Sequence, residues 1–289
     1  MSTLPVIDTQ KPAPAGTAVL PYYADGGGWR TQILLVNPTD SAMTGTVQFE
    51  PGRSFDYSIP RRSSQKLVTP GSGSTVSVGA ARIVPVSAAA APIPLVVFSY
   101  QPAGVVTSEA AVPTVAGMAF RMYAESSATL GQPGSIATGI AIAGNGQGNA
   151  SLTFELSRLD GSTTGLPLPV TKTLSDFGNA QFLNEIFPGL PSPFKGVLRI
   201  STANASSISV VGLRARYNER AGPENFLITT TAPAVEADRP PSTELLFPLL
   251  AIDGGYTTEF ILFSGTTGQT SGAISFFRMD GTILGLSLN

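Results

Sequence analysis

At 289 residues the chain is long enough for two ordinary domains whose cores need neither metal nor disulfide. Charged residues make up 12% of it, against about a quarter in ordinary proteins, and the net charge of −2 offers no field for a phosphate backbone or an anionic membrane, so nucleic acid is excluded as a partner. Cys and His are both absent, which removes thiolate nucleophiles, sulfur metal sites and the commonest general base and metal ligand, and no apolar run reaches the ~18 residues of a membrane helix.

The predicted order begins with an extended, Pro-punctuated arm over residues 1–18, which lacks the basic start and apolar middle of a signal peptide. A first β-sandwich repeat is expected over 19–126 and opens with Leu20-Pro21-Tyr22-Tyr23-Ala24-Asp25-Gly26-Gly27-Gly28-Trp29. Thr46-Val47-Gln48-Phe49-Glu50 alternates with period two, and Asn37-Pro38 supplies a turn. The glycines after Asp25 read as a turn before a strand. A phosphate cradle would need a helix behind them, and a calcium loop needs several oxygen ligands. Trp29 reads as a core or core-rim anchor, since its counterpart in the last repeat is also aromatic, Tyr256. Tyr22, Tyr23 and Trp29 form the one candidate ligand platform, of the kind that carbohydrate-binding sandwiches offer to sugar faces.

A second repeat is expected over 127–240. Ser151 to Leu156 and Ser207 to Val210 alternate, while Asn145-Gly146 and Asp160-Gly161 mark turns. Ala180, Phe182, Leu183, Ile186 and Phe187 fall at helical spacing before Pro188-Gly189, which predicts one short helix plugging this sandwich. Arg82-Ile83 and Val96 to Tyr100 match Arg199-Ile200 and Leu213 to Tyr217 at constant offset, so both repeats are complete. The acids and bases around one strand end, Arg214, Arg216, Glu219, Arg220 and Glu224, could pair as glycosidase carboxylates do, but nothing fixes that geometry, and a solvated loop is the expectation. No catalytic, cofactor or metal residue is assigned.

A partial third repeat follows over 241–289. Phe247-Pro248-Leu249-Leu250-Ala251-Ile252-Asp253-Gly254-Gly255-Tyr256 aligns without a gap on the opening of the first repeat, and Arg278-Met279-Asp280-Gly281 repeats Arg158-Leu159-Asp160-Gly161. The whole is therefore expected to be all-β: tandem immunoglobulin-like sandwiches of roughly 105 to 120 residues, with one short helix and an incomplete third copy.

The run Ala24 to Trp29 followed by Val36-Asn37-Pro38-Thr39, together with Thr138 to Ala143, Gln181 to Pro188 and Val211 to Glu219, resembles repeats of large, mostly uncharacterised secreted or cell-surface proteins of soil bacteria. The resemblance implies an extracellular or cell-surface location and brings no catalytic residues. The incomplete repeat implies assembly, because Phe260, Leu262, Ile274, Phe276 and Ile283 lack an opposing sheet. The expected function is a non-catalytic structural or adhesive protein that forms a filament or oligomer by strand complementation. Its expected donor strand is Leu4, Val6 and Ile7 or the end from Ile283 through Leu286 to Leu288. A carbohydrate-binding module, with an extracellular polysaccharide or a cell surface as partner, is the alternative.

Overall fold

The computed structural model describes residues 13–50, 52–86, 89–112, 114–145, 149–174, 178–203, 207–219, 225–236, 244–264 and 271–286. It divides into a unit over Met1–Asp238 and a second over Arg239–Asn289.

The first unit is all-β. Strands β1 (Ala18–Asp25), β2 (Trp29–Val36), β3 (Met43–Phe49), β4 (Arg53–Ile59), β5 (Ser64–Val68), β6 (Ser77–Pro85), β7 (Ile93–Tyr100) and β8 (Ser108–Val112) form two antiparallel sheets. Their orders are β1-β6-β3-β4 and β5-β2-β7-β8. Successive strands β1, β2 and β3 therefore alternate between sheets. β1 reaches β3 only through β6, and β2 lies between β5 and β7. Inward residues such as Leu20, Ile33, Leu35, Val47, Ile83 and Phe98 fill the space between the sheets and are fully buried.

The same eight-strand order recurs in β10 (Ala119–Ser127), β11 (Ile136–Gly144), β12 (Ala150–Arg158), β13 (Val170–Leu174), β14 (Asn179–Phe182), β15 (Phe194–Thr202), β16 (Ile208–Tyr217) and β17 (Phe226–Thr231). Its pairings are β10-β15-β12-β13 and β14-β11-β16-β17, joined into one sheet where Ser126 and Ser127 pair with Ala137 and Ile136. Two short pieces, β9 (Ala116–Gly117) and β18 (Ala234–Val235), add to β16 and β10. β10 is thus the opening strand of the second sandwich. Phe120, Met122 and Ala124 sit in its core, so the junction lies before β10 and not at the expected 126/127.

The predicted helix exists as α1 (Leu183–Ile186), with Ala180 and Phe182 on the preceding strand. Glu185 accepts a hydrogen bond from the Phe182 N–H at 2.6 Å, which fixes its start. Leu183, Ile186 and Phe187 are buried as a plug, and the chain turns away at Pro188-Gly189. In the first repeat the stretch after the fifth strand is Thr69-Pro70-Gly71, too small to plug anything. There a cavity of about 140 Å³ remains, lined by Thr31, Phe49, Phe55 and residues 66–69.

The two sandwiches pack face to face. Ala141, Val211, Leu213 and Ile228, on the outer face of the second, join the buried cluster of the first, and Val19, Ala80 and Ala143 form a smaller contact. Small alanines let the sheets approach closely. This is why β1, β11 and β16 are buried on both faces along most of their length. Edge strands β8 and β17 are stitched by side chains: the Ser108 hydroxyl donates to the Ile228 carbonyl at 2.6 Å and accepts from the Ile228 N–H at 3.0 Å.

Register corrects one expected match. Thr31 pairs with Phe98, and its counterpart Thr138 pairs with Arg214. Phe98 therefore corresponds to Arg214, one residue away from the constant offset. A one-residue slip reverses faces, and it sends Val211 and Leu213 out to the neighbouring sandwich.

The second unit is irregular where it is described, with isolated bridges between Asp253 and Tyr256 and between Phe277 and Ile283. Phe260 packs between Phe247 and Phe276, with ring centroids 5.2 and 5.9 Å away.

Candidate functional site

The expected aromatic platform is not at the surface. Tyr22 is 8% exposed and Tyr23 1%, packed edge-on against Phe98 and Phe49. A register shift between Leu20 and Tyr23 turns both consecutive tyrosines toward apolar neighbours. Burial pushes the Tyr22 phenol up to about 12. Trp29 is half-buried among Phe98, Tyr100 and, from the second sandwich, Phe226. It is a core-rim anchor on the seam between repeats, while Tyr22 and Tyr23 are buried away from any ligand.

The glycine loop is a turn, as expected. Gly26, Gly27 and Gly28 all take positive φ, and the Trp29 N–H returns to the Gly26 carbonyl at 2.9 Å. Asp25 accepts from Arg53 and from the Gly71 N–H, each at 2.7 Å. Burial opposes its charge, but these donors outweigh burial and hold its carboxyl below the usual range.

Of the acid and base cluster, Glu224 and Arg220 lie outside the described residues. Arg214 donates to Glu125 at 3.1 Å, and Arg216 lies 3.6 Å from Glu219. A different network runs over the outer face of the second sandwich, where Arg199 bridges Glu236 and Glu155 and Arg121 also meets Glu236. It clamps Glu236 onto β10 and β15.

The feature with functional geometry is the third repeat. Its turn chemistry is that of the complete repeats. Asp253, Gly254 and Gly255 take the positive φ of Gly26, Gly27 and Gly28, and the Tyr256 N–H returns to Asp253 as Trp29 does to Gly26. A Thr hydroxyl binds both the carbonyl and the N–H of one opening-strand residue in all three copies: Thr31 on Ala24, Thr138 on Glu125 and Thr258 on Ala251. Asp280 accepts from the Thr282 N–H at 2.9 Å as Asp160 does from Ser162.

Local geometry is therefore complete, whereas the sheets are not. Residues 245–286 supply the counterparts of the first three strands and the turn into the fourth. In the finished sandwich none of those three is a ladder neighbour of another, apart from the hairpin base between β10 and β11. First and third need the sixth between them, and the second needs the fifth and seventh. Among the described residues of this repeat, strand-forming sequence consequently stays without a ladder.

Side-chain exposure gives the measure. Leu262 is 57% exposed where Leu35 is 0%, Phe247 50% where Leu20 is 0%, and Ile274 38% where Val47 is 0%. Each such side chain, already about half covered, stands to gain roughly 1 kcal/mol on full burial. Among the expected assembly residues, Leu262, Ile274 and Ile283 are exposed, Phe260 and Leu286 are half-buried, and Phe276 is buried. Leu4, Val6, Ile7 and Leu288 lie outside the described residues. Sequence reasoning missed Leu245, Leu246 and Leu249, all widely exposed on the first-strand counterpart. The gapless alignment sets Leu249 on Tyr22, which the first sandwich buries.

Fold and site define a β-sandwich repeat protein with two complete copies and a third whose described residues form no sheet ladder. No family model, no curated protein and no solved structure matches the chain.

Proposed function

We propose that the protein is a non-catalytic structural component, extracellular or at the cell surface, that associates with other chains, its own copies included, by completing its third repeat through strand complementation. One observation carries this reading. Phe247, Leu262 and Ile274 hold positions that both complete sandwiches bury, as Leu20, Leu35 and Val47 in the first and Met122, Ile142 and Phe154 in the second, yet stand exposed. Unpaired strands with an apolar face are a template for pairing with another chain. Contact between the third repeat of one copy and a different surface of the next is heterologous, so it yields rings where the rotation closes and fibres where it does not.

Multi-angle light scattering with negative-stain microscopy on the full chain over a range of concentrations tests it. Concentration-dependent particles are expected, reduced to monomer by the paired substitutions Phe247→Glu and Leu262→Glu. A monomer at all concentrations, or assembly indifferent to those substitutions, refutes the reading.

A further inference from the structure

We infer that the third repeat is an acceptor for one particular strand, the sixth of the unit, and that its occupant is an extended segment of another polypeptide with the pattern Gly-apolar-apolar-Arg-Ile. This rests on the reading that another chain completes the repeat.

The two complete sandwiches show what fills the slot. β6 and β15 each run antiparallel to both the first and the third strand of their sandwich. They share Gly79-Ala80-Ala81-Arg82-Ile83 and Gly196-Val197-Leu198-Arg199-Ile200. The glycine is required by contact: a Cβ at Gly79 would stand 2.0 Å from the Glu50 carbonyl oxygen, and one at Gly196 2.1 Å from that of Ser157. Both carbonyls correspond to that of Phe277. The isoleucine faces Val47 in one sandwich and Phe154 in the other, the positions of Ile274. Between glycine and arginine the second apolar residue lies beside Phe49 or Leu156, the position of Phe276. Because the third repeat has Phe there, as the first does, Ala81 is the better-fitting residue, and the β6 sequence is the better donor.

The arm residues Leu4-Pro5-Val6-Ile7 fit this slot poorly. They contain no glycine, and Pro5 lacks the N–H that a central strand needs.

The test uses a fluorescent peptide spanning Thr75 to Val86, titrated with the full chain and read by anisotropy. Saturable binding of one peptide per chain is expected, weakened at least tenfold in a peptide carrying Gly79→Val and lost when the chain carries Ile274→Asp or Phe276→Asp. Equal binding of the Gly79→Val peptide, binding unaffected by both chain substitutions, or no binding overturns the slot assignment. Light scattering separates the two ideas. A chain that assembles but ignores the peptide keeps the association and loses the slot, while a monomer that binds the peptide keeps the slot and loses self-association.

Discussion

Replacing Thr31 with Val removes a hydroxyl and almost nothing else. Thr31 is fully buried, and its Oγ1 donates to the Ala24 carbonyl at 2.8 Å while accepting from the Ala24 N–H at 3.0 Å. Val keeps the shape and leaves two polar groups of a buried strand without that partner. Each buried group so orphaned costs about 1–3 kcal/mol, offset in part by the extra apolar burial, so a net loss of roughly 2–3 kcal/mol is expected. Thr31→Ser keeps the hydroxyl and loses one methyl, worth about 1 kcal/mol. Urea unfolding followed at Trp29, the one tryptophan, reads the effect, because that ring sits on the seam between the sandwiches. With a slope of about 3 kcal/mol/M the Val midpoint falls by nearly 1 M. If Thr31→Val lies within about 0.5 kcal/mol of Thr31→Ser, the reciprocal hydrogen bond is not what holds the opening hairpin, and the reasoning fails.

Gly79→Ala places its Cβ 2.0 Å from a backbone oxygen and is expected to lower the thermal midpoint sharply, by about 3 kcal/mol or more in stability, whereas Gly52→Ala, at positive φ in open space, costs only about 1 kcal/mol. Ala141→Leu overfills the seam between the sandwiches and is expected to cost about 1–3 kcal/mol, splitting a single urea transition into two that Trp29 fluorescence and circular dichroism report separately. Burial opposes the charge of Glu236, but Arg199 and Arg121 outweigh it and hold the carboxyl below the usual Glu range. Its contribution is therefore present at neutral pH and lost as pH falls below about 4.5 and through the lowered value. Melts of Glu236→Gln should change less over that acid range than those of the parent chain, and parallel profiles would contradict the assignment.

Much of the fold was legible because each repeat reuses its punctuation. The glycine turn before Trp29 and Tyr256 and the Asp-Gly turns at 160 and 280 require special backbone conformations, which few residue types supply. The junction at β10 was not legible, since Phe120 to Ser126 lack the Leu-Pro-Tyr-Tyr-Ala-Asp opening and are related to β1 by pairing with the sixth strand and by the Thr hydroxyl contact, both visible only in three dimensions. Leu213 was misplaced because one residue of loop length separates the two copies between sixth and seventh strands, invisible to an alignment by apolar type alone. Tyr22 and Tyr23 escaped a period-two reading because of the register shift beside them. Of the candidate site, the missing burial was plain from repeat alignment. Which strand is missing was not, because that depends on sheet order.

The same sheet order sets a timetable for making the protein. Val19 pairs with Arg82, and Arg121 with Arg199, so the opening strand of each sandwich waits for most of its repeat to be synthesised before it has a neighbour. Such distant pairings form slowly. On the ribosome every copy passes through a stage with three strands made and none laddered, the arrangement that residues 245–286 display. The abundant glycine of the chain then matters to synthesis, because it weakens pairing of the waiting strands with a wrong edge, while the low charge leaves few of the charged side chains that otherwise block such pairing.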